Sequence, residues 1–186
     1  MSITVSFYGA NYVIPGPGDV NTQSLTDFLA AVALRLGTVP AYLEVGNANS
    51  QVIPNNTGTI IVYATVINDP DLAYNVATGR YTVPLGKGGR YAITASVRMV
   101  TGGAGAGANE FNLHVYKNAA DAAQLDDEAF SPGTTFQTSN AIGGSAIITC
   151  SAGDILDIRM LQTTGGTVTL GTNVINNRFV VFRLVS

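Results

Sequence analysis

Residues 74–97, YNVATGRYTVPLGKGGRYAITASV, decide the fold. Side chains alternate along both ends of this stretch, which is the period of half-buried strands. In its second half one face carries Tyr91, Ile93, Ala95 and Val97. Asn75 and Gly79 bracket a turn before the first strand, and the glycines of 86–89 allow positive φ in a tight turn. Pro84 lacks an N–H group, so we expect the first strand either to end there or to lie at a sheet edge. The stretch therefore predicts strand, turn and strand.

Further runs of strand length recur along the rest of the chain. They occupy residues 59–67, 111–116, 144–150, 155–162, 167–170 and 178–185. Residues 102–108 are rich in Gly and Ala and predict a flexible loop, and residues 119–136 predict a long loop with an acidic run. Many short strands at close intervals are typical of a sandwich or jelly roll. The sequence therefore predicts an all-β fold.

The N-terminal part follows a different pattern. Residues 3–8 predict a short strand, and residues 9–21 predict a loop with Pro-Gly-Pro-Gly at its centre. Ser24 and Asp27 form an N-cap signature. Apolar residues then follow at helical spacing, which predicts one amphipathic helix over about 24–36: Leu25, Phe28, Leu29, Val32 and Leu36.

These patterns divide the chain into three parts. Residues 1–46 form an N-terminal attachment segment that contains the helix. Residues 47–58 are rich in Asn, Pro and Gly and form a linker. Residues 59–186 form the β-sheet head.

Composition excludes several classes of function. The chain has 186 residues, of which 46% are hydrophobic and only 11% are charged, so we expect part of its surface to be buried between subunits. The net charge of −3 gives no basic footprint for nucleic acid. No apolar run is long enough to cross a membrane, and no secretion leader is recognisable at the N-terminus. We therefore expect no membrane insertion and no secretion.

The sequence shows no catalytic constellation. His114 is the only histidine, and neither a G-x-S-x-G nor an H-E-x-x-H motif accompanies it, so we expect no hydrolytic or zinc site. Residues 102–108 lack the Lys and Ser/Thr of a phosphate-binding loop. Cys150 is the only cysteine and follows apolar residues, which predicts a small buried side chain. We expect a protein that is not an enzyme and requires no cofactor.

Three short motifs resemble a known family. The A-T-G turn, R-Y-T-V-P, a glycine and R-Y-A-I within residues 74–94 resemble the globular head of complement first-component q. SAGDILDIRM at 151–160 resembles a late strand, turn and strand of these heads, and NNRFVVFRLV at 176–185 resembles their closing strand. The resemblance covers residues 59–186. It implies the trimeric jelly-roll β-sandwich that these heads share with tumour necrosis factor cytokines.

The resemblance also raises the question of a metal ion. Heads of the complement-q type sometimes hold calcium near the trimer axis. Asp126, Asp127 and Glu128 offer the oxygen ligands that calcium prefers, but they lack the spacing of an EF-hand loop. We expect a solvated acidic loop, with a calcium site as the alternative.

Two predicted strands are apolar on both faces, which favours a homotrimer. Residues 60–66 and 178–185 show this pattern, whereas an outer sheet of a monomeric sandwich has one polar face. A neighbouring subunit would provide the second cover. The predicted trimer interface contains Ile61, Tyr63, Phe179, Val181 and Phe182.

The resemblance also implies a setting. Bacteriophages use similar trimeric heads in fibres and capsid decorations, behind similar short N-terminal segments. We therefore predict a virion structural protein, made in the host cytoplasm. It would be a capsid decoration or head-fibre protein that binds the major capsid protein or another virion protein through its N-terminal segment. The predicted attachment residues are Phe7, Tyr8, Tyr12, Phe28 and Val32.

Two other functions stay open at this stage. The first is a tail-fibre tip whose head loops recognise a glycan on the host surface. The second is a secreted bacterial adhesion module, which the absence of a recognisable secretion leader disfavours.

Overall fold

The structure, a computed structural model, describes residues 3–7, 10–14, 40–47, 49–102, 109–130 and 140–184. The chain separates into two compact units, Met1–Val39 and Pro40–Ser186. In the first unit, strands β1 (Ile3–Phe7) and β2 (Ala10–Ile14) form an antiparallel hairpin. The sequence predicts β1, but the loop predicted over 9–21 is wrong for residues 10–14, which pair with β1. The helix predicted over about 24–36 lies outside the described residues.

The second unit is built from antiparallel strands. In chain order they are β3 (Tyr42–Gly46), β4 (Val52–Ile53), β5 (Thr59–Ile60), β6 (Thr65–Asn68), β7 (Tyr74–Asn75), β8 (Arg80–Thr82), β9 (Gly89–Gly102), β10 (Asn109–Lys117), β11 (Ala120–Phe130), β12 (Asn140–Cys150), β13 (Ile155–Gln162), β14 (Val168–Leu170) and β15 (Arg178–Leu184). Across the described ranges, no helix combines the length and the apolar composition that crossing a membrane requires.

The strands form two sheets. We name the first the β9 sheet, in the order β4-β14-β9-β15-β3-β6, with β12 also paired to β9. We name the second the β13 sheet, in the order β11-β10-β13-β8-β7, with β5 also paired to β13. Both faces of the core are thus built from strands that are distant in sequence, as a jelly roll requires.

Alternating side chains of both sheets fill one core. The face predicted for the stretch 91–97 is confirmed, because all four of its side chains are buried. Tyr63 and Phe179 pack with ring centroids 5.7 Å apart, and Tyr74 meets Phe179 edge to face at 6.4 Å. The tyrosine hydroxyls are enclosed with the rings, and burial raises the pKa of Tyr74 and of Tyr91 to about 12.

The turn predicted between Asn75 and Gly79 is confirmed. The Gly79 N–H donates a hydrogen bond to the Asn75 carbonyl at 2.9 Å, and the Gly79 φ is +70°. A Cβ at this position would lie 2.7 Å from the Ile61 carbonyl oxygen. Residue 79 must therefore be glycine both for its backbone conformation and for the close approach of its neighbour.

The single strand predicted over 59–67 is divided into β5 and β6. Just after β5 the Ile61 N–H still donates to the Ile158 carbonyl of β13 at 2.8 Å, but the next two N–H groups bond to side chains. The Val62 N–H donates to Gln51 Oε1 at 3.0 Å, and the Tyr63 N–H donates to the Tyr74 hydroxyl at 3.0 Å. Side-chain acceptors replace the sheet ladder here, so the strand is interrupted while its polar groups stay satisfied.

The sandwich begins well before residue 59. Strand β3, placed in the attachment segment by the sequence, pairs along β15, with Val45 opposite Phe179. Ile53, placed in the linker 47–58, is fully buried and pairs with Val168. The turn residues around it suggested a linker, but the short apolar pair between them is part of the core. The jelly roll therefore starts near Pro40.

Residues 120–130 form a strand, so the long loop predicted over 119–136 is wrong for this part. The sequence ADAAQLDDEAF shows no alternation of apolar and polar residues. None is needed, because β11 lies at the edge of the β13 sheet and its side chains stay partly exposed. Backbone pairing with β10 holds it in place, from Asn109 opposite Phe130 to Lys117 opposite Ala120.

The two sheets meet where β11 lies against β12. Asp126 Oδ2 accepts a hydrogen bond from the Gly143 N–H at 2.8 Å. A Cβ at Gly144 would lie only 2.1 Å from the Leu125 carbonyl oxygen, so a glycine is required for this approach. We call this contact between the two edge strands the β11–β12 seam.

Candidate functional site

The outward face of the β9 sheet carries a line of apolar side chains. The register places Ile147 opposite Ala92, Ala92 opposite Phe182, and Phe182 opposite Tyr42, so the line crosses β12, β9, β15 and β3. Ile147 is 57% exposed and Phe182 is 41% exposed. The Phe182 and Tyr42 rings pack edge to face, with centroids 6.4 Å apart. We call these four residues the apolar row.

Polar pairs lie beside the apolar row. Thr94 and Ser145 face each other on β9 and β12, two residues from Ala92 and Ile147, and share a hydrogen bond at 2.8 Å. On β3 the Tyr42 hydroxyl donates to Glu44 at 2.7 Å, and Glu44 forms an ion pair with Arg178. An apolar centre bordered by paired polar side chains is the usual anatomy of a protein–protein interface.

Most residues predicted for the trimer interface lie inside the chain's own core. Ile61, Tyr63, Phe179 and Val181 have no exposed surface, so they are not accessible to a neighbouring subunit. The sequence could not tell which of two apolar faces on these strands would point inward. Phe182 is the one residue of the predicted set that lies on the outward face, as part of the apolar row.

The predicted attachment residues fall in the first compact unit. Phe7 ends β1, and Tyr12 lies in β2 opposite Val5. Tyr8, Phe28 and Val32 lie outside the described residues. Their role in attachment therefore stays a prediction.

The outward face of the β13 sheet has a different chemistry. Its register places Asp121 opposite Tyr116, Tyr116 opposite Asp157, and Asp157 opposite Arg80. Two residues along the same strands, on the same face, His114 lies opposite Arg159. We call these six residues the charged cluster: Arg80, His114, Tyr116, Asp121, Asp157 and Arg159.

Asp157 is the centre of the charged cluster. It is almost completely buried, and it accepts from Arg159 Nε at 2.7 Å and lies 3.5 Å from Arg80 Nε. The hydrogen bond to Asp157 raises the pKa of Arg159, although partial burial opposes the shift. The Arg159 guanidinium carbon also lies 4.1 Å from the centroid of the Tyr116 ring. Two contacts therefore fix the position of this guanidinium.

His114 and Asp121 border a small cavity beside this guanidinium. His114 Nδ1 lies 2.9 Å from Asp121 Oδ2. The cavity measures 230 Å³, and it is lined by Gly58, His114, Tyr116, Asp121, Arg159 and Leu161. In the sequence His114 stands as an isolated histidine, and its spacing does not predict this cluster. The available signal was the alternation of Asp157 and Arg159 in an otherwise apolar strand.

The acidic run at 126–128 is engaged in contacts within its own strand and with β12. Asp126 Oδ1 accepts from the Asp127 N–H, and its other oxygen belongs to the β11–β12 seam. Burial raises the pKa of Glu128, and the nearby Asp126 charge adds to this shift. Among the described residues, no three His, Cys, Asp or Glu side chains converge as a metal site would require. A calcium ion shared between subunits stays a prediction.

Cys150 is buried, as its apolar neighbours predict. Burial raises the pKa of its thiol, which keeps the group protonated and unreactive at neutral pH.

The SAGD motif at 151–154 forms the turn between β12 and β13. Asp154 Oδ2 accepts from the Ser151 N–H at 2.8 Å, and Asp154 Oδ1 accepts from Asn118 Nδ2 at 2.8 Å. These hydrogen bonds lower the pKa of Asp154. The motif that supports the resemblance is therefore a carboxylate-capped turn that joins the two sheets.

Comparison with known proteins identifies the fold. No protein-family model and no curated protein sequence matches the chain. Among solved structures, murine APRIL at pH 8.5 is similar over 78% of this chain and 99% of its own, with a TM-score of 0.53 and 10% identity. Eiger TNF from S. frugiperda is similar over 80% and 93%, with a TM-score of 0.52 and 14% identity.

The globular domain of zebrafish complement 1qA is similar over 78% of this chain and 98% of its own, with a TM-score of 0.51 and 14% identity. At these identities the likeness concerns the fold and not the ligands or partners. The all-β prediction and the resemblance in the three sequence motifs are confirmed. The chain has the jelly-roll fold of the tumour necrosis factor and complement-q globular domains.

Proposed function

We propose that this chain is the subunit of a non-catalytic homotrimer and that its subunits associate through the apolar row. The exposure of Phe182 and Ile147 on strands β15 and β12, which flank β9 in one line across the sheet, carries the proposal. Large apolar side chains that stand together on a sheet face mark a contact surface more often than they mark free surface. Covering them with a second copy would remove their contact with water.

Two further observations support an association of subunits. Polar pairs border the apolar row, so a neighbouring subunit would meet an apolar centre and a polar rim. Only 11% of the residues are charged, which is a low fraction for a chain that exposes its whole surface. A threefold assembly is the arrangement that the resemblance to the complement-q heads implies.

We propose in addition that the trimer is a structural part of a bacteriophage virion, as a capsid decoration or head-fibre protein. The division into the compact units Met1–Val39 and Pro40–Ser186 supports a plan in which the first unit attaches and the second forms the head. The resemblance of the N-terminal segment to phage attachment segments gives the proposal its setting. The predicted amphipathic helix would bind a capsid protein through Phe28 and Val32.

Light scattering of the full chain tests the association. The expected mass at micromolar concentration is three times the chain mass of 19.3 kDa. A mass of 19.3 kDa at that concentration would overturn the homotrimer, and a stable dimer would overturn the threefold arrangement.

Immunogold electron microscopy of virions made from the genome that encodes the chain tests the setting. Label over the capsid surface supports decoration, and label at the tail tip supports the alternative of a receptor-binding tip. Virions without label would overturn both.

Variants in the full chain then test the attachment. Phe28→Asp and Val32→Asp should leave the trimer mass unchanged and prevent co-sedimentation with capsids. A chain that starts at Pro40 should behave in the same way, because the sandwich begins there and not at residue 59. Normal co-sedimentation of all three would refute the attachment role.

A further inference from the structure

We propose that the 230 Å³ cavity beside the charged cluster binds one ring of a neutral saccharide. The site lies on the jelly roll, so it is independent of the attachment role proposed for the first unit. Its lining combines an aromatic ring, an aliphatic side chain, a guanidinium, an imidazole and a carboxylate, in Tyr116, Leu161, Arg159, His114 and Asp121.

The size of the cavity limits the ligand. Pockets for drug-sized molecules usually measure roughly 300–1,000 Å³. A cavity of 230 Å³ is smaller and suits a single ring rather than an extended chain. Gly58 lines one side and adds no side chain, so further sugar residues could extend from the ring toward solvent.

The charges in the site disfavour an anion. Arg80 and Arg159 bring two positive charges, and Asp157 and Asp121 bring two negative charges, so these four groups balance each other. Asp157 already accepts from Arg159 Nε at 2.7 Å and from Arg159 Nη2 at 3.4 Å. A carboxylate or phosphate would have to compete with Asp157 for this guanidinium and would lie close to the Asp121 carboxylate. A neutral ligand meets neither obstacle.

The polar groups match the hydroxyls of a sugar. A sugar hydroxyl both donates and accepts, so it binds best where carboxylate acceptors and N–H donors lie together. Asp121 supplies the acceptor, and its side chain is 49% exposed and accessible. Arg159 supplies guanidinium donors, and its side chain is 20% exposed. Hydrogen bonds to charged groups of this kind are stronger than neutral ones.

The donor group is already in position before any ligand arrives. Asp157 on one side and the Tyr116 ring on the other hold the Arg159 guanidinium, so binding would order little of it. Preorganisation of this kind lowers the entropic cost of association. The pair of His114 and Asp121 is less buried than Asp157, and the fold does not require it to compensate a buried charge. The Asp121 carboxylate is therefore available for a ligand, whereas His114 Nδ1 is enclosed.

The lone histidine provides a direct probe. In the full chain labelled with ¹³C-histidine, the imidazole signals belong to His114 alone. We would follow them at fixed pH while adding glucose, galactose, mannose or N-acetylglucosamine up to about 100 mM, and sodium acetate or sodium sulfate in parallel. The expected result is a saturable shift with at least one of the sugars and none with the two anions.

Two variants separate binding from unspecific effects. Asp121→Asn keeps the shape of a partly exposed side chain and should weaken sugar binding roughly tenfold or more. Glu110→Gln makes the same charge change at an exposed position of β10 on the same face of the β13 sheet and should leave the affinity unchanged. Both variants are expected to fold, because neither side chain is buried.

Three results would overturn the proposal. The first is the absence of a saturable shift with every sugar. The second is an equal loss of affinity in both variants. The third is a saturable shift with acetate or sulfate in place of the sugars, which would assign the cavity to an anion. None of these results depends on whether the first unit attaches to a capsid.

Discussion

The outward faces of the two sheets differ in chemistry, although both sheets cover the same core. On the β9 sheet, Phe182 and Ile147 give an exposed apolar row. On the β13 sheet, Asp157 and Arg159 occupy the corresponding outward positions and bind each other. In both sheets alternate residues of each strand point inward and are apolar, so the two inward faces are alike. The residues between the core positions decide what each face can contact.

This difference puts the proposed association and the proposed ligand site on opposite sheets of one sandwich. An apolar face is stabilised when another protein surface covers it. A charged face with a small cavity is stable in water and can hold a small polar ligand. A single chain can therefore associate through one sheet and keep the other sheet accessible.

The largest effect is expected from raising the pH, because ionisation of buried tyrosines unfolds the core that both sheets share. Burial raises the pKa of Tyr74 and of Tyr91 to about 12, from an ordinary value of about 10. The folded state therefore favours the neutral phenol, and its stability falls as pH rises from 10 to 12. Each of the two tyrosines should cost roughly 2–3 kcal/mol by pH 12.

Absorbance of tyrosinate at 295 nm and the circular dichroism of the sheets should change together in this range. Burial also raises the pKa of Tyr81, so Tyr81→Phe should shift the midpoint to higher pH. Sheets that persist at pH 12 while the buried tyrosines ionise would contradict the prediction.

Phe182→Asp should abolish subunit association through the β9 sheet. A carboxylate in the middle of the apolar row would have to lose its water in the assembly, which costs several kcal/mol for each subunit. We expect the mass from light scattering to fall to that of one chain, with an unchanged circular dichroism spectrum.

The matched control for Phe182→Asp is Leu85→Asp. Leu85 is 95% exposed and lies outside the apolar row. This variant should therefore keep the mass of the assembly that the unmodified protein forms. If both variants dissociate, general charge and not the apolar row governs assembly.

Asp157→Ala should weaken the β13 sheet and leave assembly intact. The change leaves two guanidinium groups without their shared carboxylate. Because Arg80 and Arg159 are partly exposed, we expect a loss of about 2–3 kcal/mol, at the lower end for a broken buried pair. Urea denaturation at fixed protein concentration measures this loss, with Glu110→Ala as the exposed control. An Asp157→Ala midpoint equal to that of the control would show that the cluster contributes no stability.

The smallest effect is expected at the turn that joins the sheets. Two hydrogen bonds lower the pKa of Asp154 in the folded state, so their contribution is present above pH 4 and is lost as pH falls through the folded value. Asp154→Asn should lower the urea midpoint slightly at pH 7. The difference between the variant and the unmodified chain should shrink as pH falls from 7 to 2, because the folded-state carboxylate becomes protonated. A difference that is equal at both pH values would mean that ionisation of Asp154 does not contribute.

The sequence predicts the strands whose side chains alternate. In β9 the inward series from Tyr91 to Val97 is read directly, and β13 and β15 are found within one residue of their bounds. Strand β11 escapes prediction because its residues at the sheet edge show no buried alternation. Ile53 escapes because two buried residues between turns are too short a signal.

The candidate site is less predictable than the strands. Tyr116 and Arg159 are far apart in sequence and meet through the register of β10 and β13. No local pattern encodes that register. The sequence also does not show that Phe179 points inward and Phe182 outward. A strand that is apolar on both faces could bury either face, and only its pairing with other strands decides which one.

The β11–β12 seam affects how this chain behaves in a crowded solution. A free strand edge offers unpaired N–H and C=O groups that other chains can join, which leads to aggregation. Here two edges shield each other, and they can do so only because residue 144 has no side chain. A larger residue at position 144 would push the Leu125 backbone away and leave both edges open. The expected consequence is that a variant with a larger residue at 144 aggregates more readily at high expression than the unmodified chain.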